Sequence, residues 1–153
     1  MPELQILLVE DSPQDLELTL DALESENFAN HIDVVRDGEE ALDYLFRRGS
    51  YAGRASAQPK LVLLDLKLPK LNGLEVLAAI KKDPSTRAIP VVILTSSKEE
   101  QDLVASYQMG VNSYIQKPVD FDQFRRKVKE LGFYWLLVND SPPVKAYDDK
   151  SGG

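Results

Sequence analysis

The stretch that most constrains the fold runs through Leu61, Val62, Leu63 and Leu64, stops at Asp65, and continues into Pro69 and Asn72-Gly73. An unbroken apolar run of this length has neither the alternation of a half-solvated strand nor the period of a surface helix. It reads as a strand covered on both faces. A carboxylate resists burial, so the run delivers Asp65 to the strand's carboxyl end and makes it the candidate reactive group.

The same pattern recurs along the chain. Ile6, Leu7, Leu8 and Val9 stop at Glu10-Asp11, and Ser12-Pro13 then supplies an N-cap and a first helical residue. Leu16, Leu20 and Leu23 follow at helical spacing, predicting an amphipathic helix that ends near Asn27. Ile32 to Val35 is a weaker strand candidate, and Asp37-Gly38 opens a helix carrying Ala41, Leu42 and Leu45 on one face. Residues 47–59 form a long polar connection, either mobile or a contact loop. Beyond Asp65, Asn72-Gly73 could turn a hairpin, but Leu74, Leu77 and Ile80 recur at helical spacing and predict a helix ending at Asp83-Pro84.

Val91 to Leu94 is another buried strand, stopping at Thr95-Ser96-Ser97. Ser97 with Glu100 fits a capping box for the fourth helix, which Gly110 closes. Ser113 to Gln116 is a short fifth strand stopping at Lys117-Pro118, and Asp120 caps a last helix expected to run past Trp135. Strands alternating with helices in this way call for an α/β fold, a parallel sheet wrapped on both faces with right-handed crossovers. Ligands of such sheets bind beyond the strands' carboxyl ends.

One rim would then collect Glu10, Asp11, Asp65, Thr95 and Lys117. Any one polar residue ending a buried strand is ordinarily a solvated terminus. Three carboxylates together, however, raise one another's pKa values unless a cation offsets them, and hard oxygen ligands suit Mg²⁺. A divalent ion at Glu10, Asp11 and Asp65 would draw in a phosphoryl group, for which a carboxylate is a competent acceptor. Thr95 would hydrogen-bond one phosphoryl oxygen while Lys117 neutralises another.

Composition narrows the class. The 153 residues are 43% hydrophobic, enough for one domain with a real core. A formal charge of −7 disfavours nucleic acid and anionic membrane as partners. The chain has no cysteine, and its first apolar run is too short for a signal peptide or membrane span, so a cytoplasmic location is the default. His31, the single histidine, precedes a strand and reads as a surface residue, so a phosphodonor must come from another molecule.

The ordered set Glu10-Asp11, Asp65, Pro69, Gly73, Thr95 and Lys117-Pro118 resembles the receiver domain of two-component response regulators, over residues 1–138. Residues 139–153 form a polar tail. The resemblance implies a flavodoxin-like (βα)5 doubly wound sheet with strand order 2-1-3-4-5. It implies Asp65 as phospho-acceptor from a sensor histidine kinase. Asp11, Asp65 and the Lys67 backbone carbonyl would be Mg²⁺ ligands, with Glu10 holding one of the ion's waters. It further implies a cis peptide between Lys117 and Pro118, and Thr95 and Tyr114 as a switch pair. More narrowly, the 47–59 connection, Thr95-Ser96-Ser97, Tyr107, the Val111 to Ile115 and Lys117 to Phe124 segments and Phe133-Tyr134-Trp135-Leu136 are similar to stand-alone receivers that serve phytochrome kinases. The chain departs from many receivers at Lys67, which abuts the phosphoryl position and where an uncharged side chain is common. It departs again at Ser96, where a smaller residue is usual.

The last helix carries a second clue. Phe121, Phe124, Val128, Leu131 and Trp135 form one apolar stripe, and from Leu131 onward the chain is apolar nearly all round. A chain end folded back on its own core is one explanation. The favoured one is a homodimer through the fourth helix, fifth strand and fifth helix, with Tyr107, Phe121, Phe124, Phe133 and Trp135 at the interface. The expected function is thus a phosphorylation-switched binding module, not an enzyme, acting through protein contacts without a DNA-binding output domain. A haloacid-dehalogenase-like phosphatase is disfavoured because Lys67 stands where such enzymes carry a second Asp. A receiver-shaped scaffold that is never phosphorylated is disfavoured because the full reactive set is present.

Overall fold

The computed structural model describes residues 4–24 and 30–132. In chain order they form β1 (Leu4–Val9), α1 (Pro13–Glu24), β2 (Asn30–Val35), α2 (Gly38–Phe46), β3 (Leu61–Asp65), α3 (Gly73–Lys82), β4 (Val91–Thr95), α4 (Lys98–Ser106), β5 (Ser113–Gln116) and α5 (Phe121–Glu130). The strands make one five-stranded sheet, every pairing parallel, in the order β2-β1-β3-β4-β5. This is the doubly wound topology expected from the sequence.

The continuous apolar runs are explained by what covers each face. Successive strand side chains point to opposite sides. Leu7, Val9, Val62, Leu64, Val91 and Ile93 pack with Leu45, Leu77, Ile80 and Val104 of α2, α3 and α4. Ile6, Leu8, Leu61, Leu63, Val92 and Leu94 pack with Leu16, Leu23, Phe124 and Val128 of α1 and α5. With helices on both sides, neither face of β1, β3 or β4 can be polar. Each helix needs only one apolar stripe, and that is what their spacing shows.

Turn chemistry sets the helix starts. Asp37 accepts from Glu40 N at 2.7 Å. Asn72 and Glu75 form a reciprocal capping box, so Asn72-Gly73 starts a helix and not a hairpin. At Gly73 a Cβ would lie 2.5 Å from the Asp65 carbonyl oxygen, and at Gly38 it would lie 2.1 Å from the Leu71 carbonyl oxygen. These contacts, with Gly73 N donating to Leu66 O at 2.9 Å, seat the 66–72 segment tightly after the acceptor strand.

Several expectations are corrected. Helix α5 ends at Glu130, because Gly132 takes a left-handed φ of 86° and its N–H closes on Lys129 O, so the helix does not run on past Trp135. Helix α4 ends at Ser106, short of Gly110, with Gln108 in the left-handed region. Phe124, expected at an interface, is 1% exposed in the core between α5 and the sheet, since its position on the stripe faces β1, β3 and β4. The 47–59 connection is tied to α2. The Arg54 guanidinium lies 4.0 Å from the Tyr44 ring centroid, Tyr51 donates to Glu40 at 2.6 Å, and the Gln58 amide donates to Leu45 O at 2.7 Å. Phe133, Trp135, the 139–153 tail and the expected end of the first helix lie outside the described residues.

Candidate functional site

The sheet register sets the geometry of the rim. Val9 pairs with Leu64 and Asp65 with Leu94, so Glu10, Asp65 and Thr95 leave β1, β3 and β4 side by side. Thr95 pairs with Gln116, and Lys117 N donates to Thr95 O at 2.7 Å, which brings Lys117 to the same edge. The Lys117–Pro118 peptide is cis.

Lys117 is the centre of the cluster. Its Nζ lies 3.0 Å from Asp65 Oδ1, 2.9 Å from Asp15 Oδ2 and 3.1 Å from Glu10 Oε1. The Glu10 Oε1 contact is an ion pair without hydrogen-bond alignment. An ammonium has three N–H donors, and three carboxylates surround it here. Glu10 is fully buried, with Oε2 accepting from Ser12 N at 3.2 Å, and Asp65 is 6% exposed. Asp11, one residue past Glu10, is exposed. Thr95 is fully buried with no hydrogen-bond partner for Oγ1. An unpartnered buried hydroxyl is unfavourable unless a ligand completes it.

The electrostatics follow from this crowding. Burial, the neighbouring Asp65 charge and a hydrogen bond with Asp65 push Glu10 up to about 7, outweighing the Lys117 ammonium. Burial works to lower Lys117, but hydrogen bonds to Asp15 and Asp65 and the charges of Asp65 and Glu10 outweigh it, and the ammonium is held above its ordinary value. One cation does not balance this set of acids. Among the described residues no group of three acids converges as metal ligands, and Lys117 Nζ stands between Glu10, Asp15 and Asp65. The donor chemistry, hard carboxylate oxygens crowded around a single ammonium, fits a divalent cation such as Mg²⁺.

Sequence reasoning missed Asp15. It reads there as an ordinary acidic residue in the first turn of α1, and its partner Lys117 is 102 residues away. The other predicted residues divide by position. Tyr114 is half-buried on β5, and Tyr107, just beyond α4, is 55% exposed. Phe121 is partly buried against the α1 and α5 side of the core.

The rim gathers an acceptor carboxylate, an ammonium in contact with it and an unsatisfied hydroxyl on the neighbouring strand, which is chemistry suited to receiving a phosphoryl group. Comparison with known proteins points the same way. Residues 6–129 match the response regulator receiver domain family. The solved structure of the bacteriophytochrome response regulator AtBRR is 58% identical, with a TM-score of 0.85 over 91% of this chain and 100% of that one. Response regulator Rcp1 of Synechocystis sp. is 41% identical over 88% of this chain and 90% of its own length. The Mn(2+)-bound form of Rcp1 superimposes with a TM-score of 0.70, at 40% identity over 92% and 99% of the two chains. A probable methanogenesis regulatory protein of Methanothrix harundinacea, FilR2, is 46% identical over 90% of this chain and 86% of its own.

Proposed function

The chain belongs to the response regulator receiver family, and from that premise we propose that Asp65 accepts a phosphoryl group from the phosphohistidine of a phytochrome-type sensor histidine kinase in the cytoplasm. The observation that carries this reading is the contact between Lys117 Nζ and Asp65 Oδ1 at 3.0 Å, beside an unpartnered Thr95 hydroxyl. The phytochrome pairing is supported by the names of the relatives, AtBRR among them.

In the transfer, an Asp65 carboxylate oxygen forms a bond to phosphorus as the phosphorus–nitrogen bond to the donor histidine breaks. The electron pair returns to the imidazole. Asp11, Asp65 and the Lys67 carbonyl would hold Mg²⁺, with Glu10 behind them. When bound, the ion neutralises charge on the transferred group and aligns it for in-line attack. Lys117 moves from the Asp65 carboxylate to a phosphoryl oxygen, and Thr95 donates its hydroxyl to another. Movement of Thr95 toward that oxygen leaves room on β4 for the half-buried Tyr114 ring to turn inward. This remodels the face of α4, β5 and α5, where Leu103 and Tyr107 are 53% and 55% exposed, and that face is the proposed contact with a second copy. Hydrolysis of the acyl phosphate resets the switch.

The test is intact-protein mass after incubation with a small acyl phosphate, with and without Mg²⁺. A Mg²⁺-dependent phosphoryl adduct is expected in the wild type and not in Asp65→Asn. An adduct that persists in Asp65→Asn refutes the assignment, and none in the wild type makes a receiver-shaped scaffold that is never phosphorylated an equal contender.

A further inference from the structure

The Lys117 ammonium has one partner that the acceptor chemistry does not use. Glu10 follows β1 and Asp65 ends β3, both inside the rim, whereas Asp15 belongs to the first turn of α1. Asp15 Oδ2 accepts from Lys117 Nζ at 2.9 Å, the shortest of the three carboxylate contacts. The Asp15 side chain is 37% exposed, against 14% for Lys117 and 0% for Glu10, so Asp15 meets the ammonium on its solvent side.

Local chemistry explains why this carboxylate is available to Lys117. Ser12 caps α1, its Oγ accepting from Asp15 N at 3.3 Å and its carbonyl oxygen from Leu16 N at 2.8 Å. An acid three residues past such a cap ordinarily folds back onto the cap's own N–H. Glu10 Oε2 takes that N–H instead, 3.2 Å from Ser12 N. Asp15 is thereby displaced from the capping role and turned to Lys117, while the positive end of the α1 dipole still favours its charge.

The consequence lies in how one positive charge is shared. Lys117 Nζ also lies 3.0 Å from Asp65 Oδ1 and 3.1 Å from Glu10 Oε1. With Asp15 in place, one of the three ammonium N–H donors is directed outward and the charge is drawn toward the solvent edge. Without Asp15 the same charge falls on the two buried acids alone, where a low dielectric strengthens each pairing. A carboxylate held in that way is a poorer ligand for a second cation and a weaker nucleophile toward phosphorus, because its electron pairs are already engaged. Lys117 and Mg²⁺ are in this sense rivals for Asp65.

We propose that Asp15 is a positioning residue that holds the Lys117 ammonium at the solvent edge and thereby leaves the Asp65 carboxylate available to Mg²⁺ and to the incoming phosphorus. The inference rests on Asp65 being the acceptor and a Mg²⁺ ligand.

The experiment measures Mg²⁺ binding to the full chain by titration calorimetry, and follows labelling by a small acyl phosphate at subsaturating Mg²⁺ by intact mass. Wild type is compared with Asp15→Asn, Asp15→Glu, Lys117→Ala and the Lys117→Ala, Asp15→Asn double variant. Asp15→Asn keeps the shape of the side chain but drops the charge that holds Lys117. It is expected to raise the Kd for Mg²⁺ about threefold, the scale of a partly exposed ion pair, and to slow labelling by a similar factor. Asp15→Glu restores the charge and should recover most of both. Lys117→Ala removes the rival cation and should bind Mg²⁺ more tightly than wild type, and adding Asp15→Asn to it should change the Kd less than in the wild-type background. An unchanged or lower Kd in Asp15→Asn, or faster labelling, overturns the proposal. So does an equal loss with and without Lys117, which would show a general effect of charge near the metal. An Asp15→Glu protein no better than Asp15→Asn also overturns it, and this arm stands even where Lys117→Ala fails to fold. A wild type that binds no Mg²⁺ overturns the metal reading of the site and this inference with it, whereas a wild type that binds Mg²⁺ with a flat Asp15→Asn response overturns this inference alone.

Discussion

Replacing Glu10 by Gln should stabilise the metal-free protein, although it removes an ion pair. Glu10 is fully buried beside Asp65, and its pKa is raised from the ordinary 4.5 to about 7. A shift of that size means the folded state disfavours the ionised carboxyl by roughly 3 kcal/mol, the Lys117 attraction already included. The sign follows from the direction. A group whose folded pKa lies above its unfolded value lends stability that is complete below the unfolded pKa and is lost as pH rises through the folded one. Wild-type stability should therefore fall between about pH 5 and about pH 8, while Gln, which resembles the protonated acid and cannot ionise, keeps it. Urea unfolding in the presence of a chelator checks this. The two proteins should be near parity below about pH 5, with the variant ahead by roughly 3 kcal/mol at about pH 8.5. Added Mg²⁺ should narrow the gap by stabilising the wild type more. Equal stability at the higher pH, or a less stable variant, would refute the claim that crowding of buried acids outweighs the Lys117 pairing.

Phe124→Ala should cost about 3–5 kcal/mol in urea unfolding, because the ring is 1% exposed in the core. Tyr107→Ala, at an exposed position, should stay within about 0.5 kcal/mol while lowering self-association by light scattering. Gly73→Ala should destabilise by about 1–3 kcal/mol and slow acyl-phosphate labelling, since its Cβ would lie 2.5 Å from the Asp65 carbonyl oxygen. Arg54→Ala should remove a cation–π contact and a partly buried set of donors, costing about 1–2 kcal/mol. Hydrogen exchange should then quicken in the connection between α2 and β3, because Arg54 holds Tyr44 O and the Gln58 side chain.

Much of this molecule was legible from local chemistry. The runs ending at Glu10, Asp65 and Thr95 predicted three strands and the rim they share, because a strand buried on both faces tolerates no polar residue until it meets water. Ser12-Pro13, Asp37, Ser97 and Asp120 marked helix starts, because such caps act within three residues and need no tertiary partner, whereas Asn72-Gly73 taken alone reads equally as a hairpin turn, and its capping box decides for the helix. The stop of α5 was missed, although Gly132 was there to mark it, because the apolar residues beyond it read as one continuous stripe.

Other features depend on contacts between distant segments. An apolar stripe shows that a helix buries one face, but not whether a given residue meets its own sheet or another molecule, and so Phe124 could be taken for an interface residue. The Asp15 contact with Lys117 arises only when α1 is laid beside the end of β5. Glu100 looks like a helix cap in sequence, and only the packing of α4 against the segment after β3 turns it toward Lys67. The apolar pattern alone determined the alternating strands and helices and which polar residue each strand end delivers to the rim, since burial and capping act along the chain. Which charges balance which was decided by the tertiary structure alone, because Coulomb forces and desolvation depend on distance and burial in the folded state.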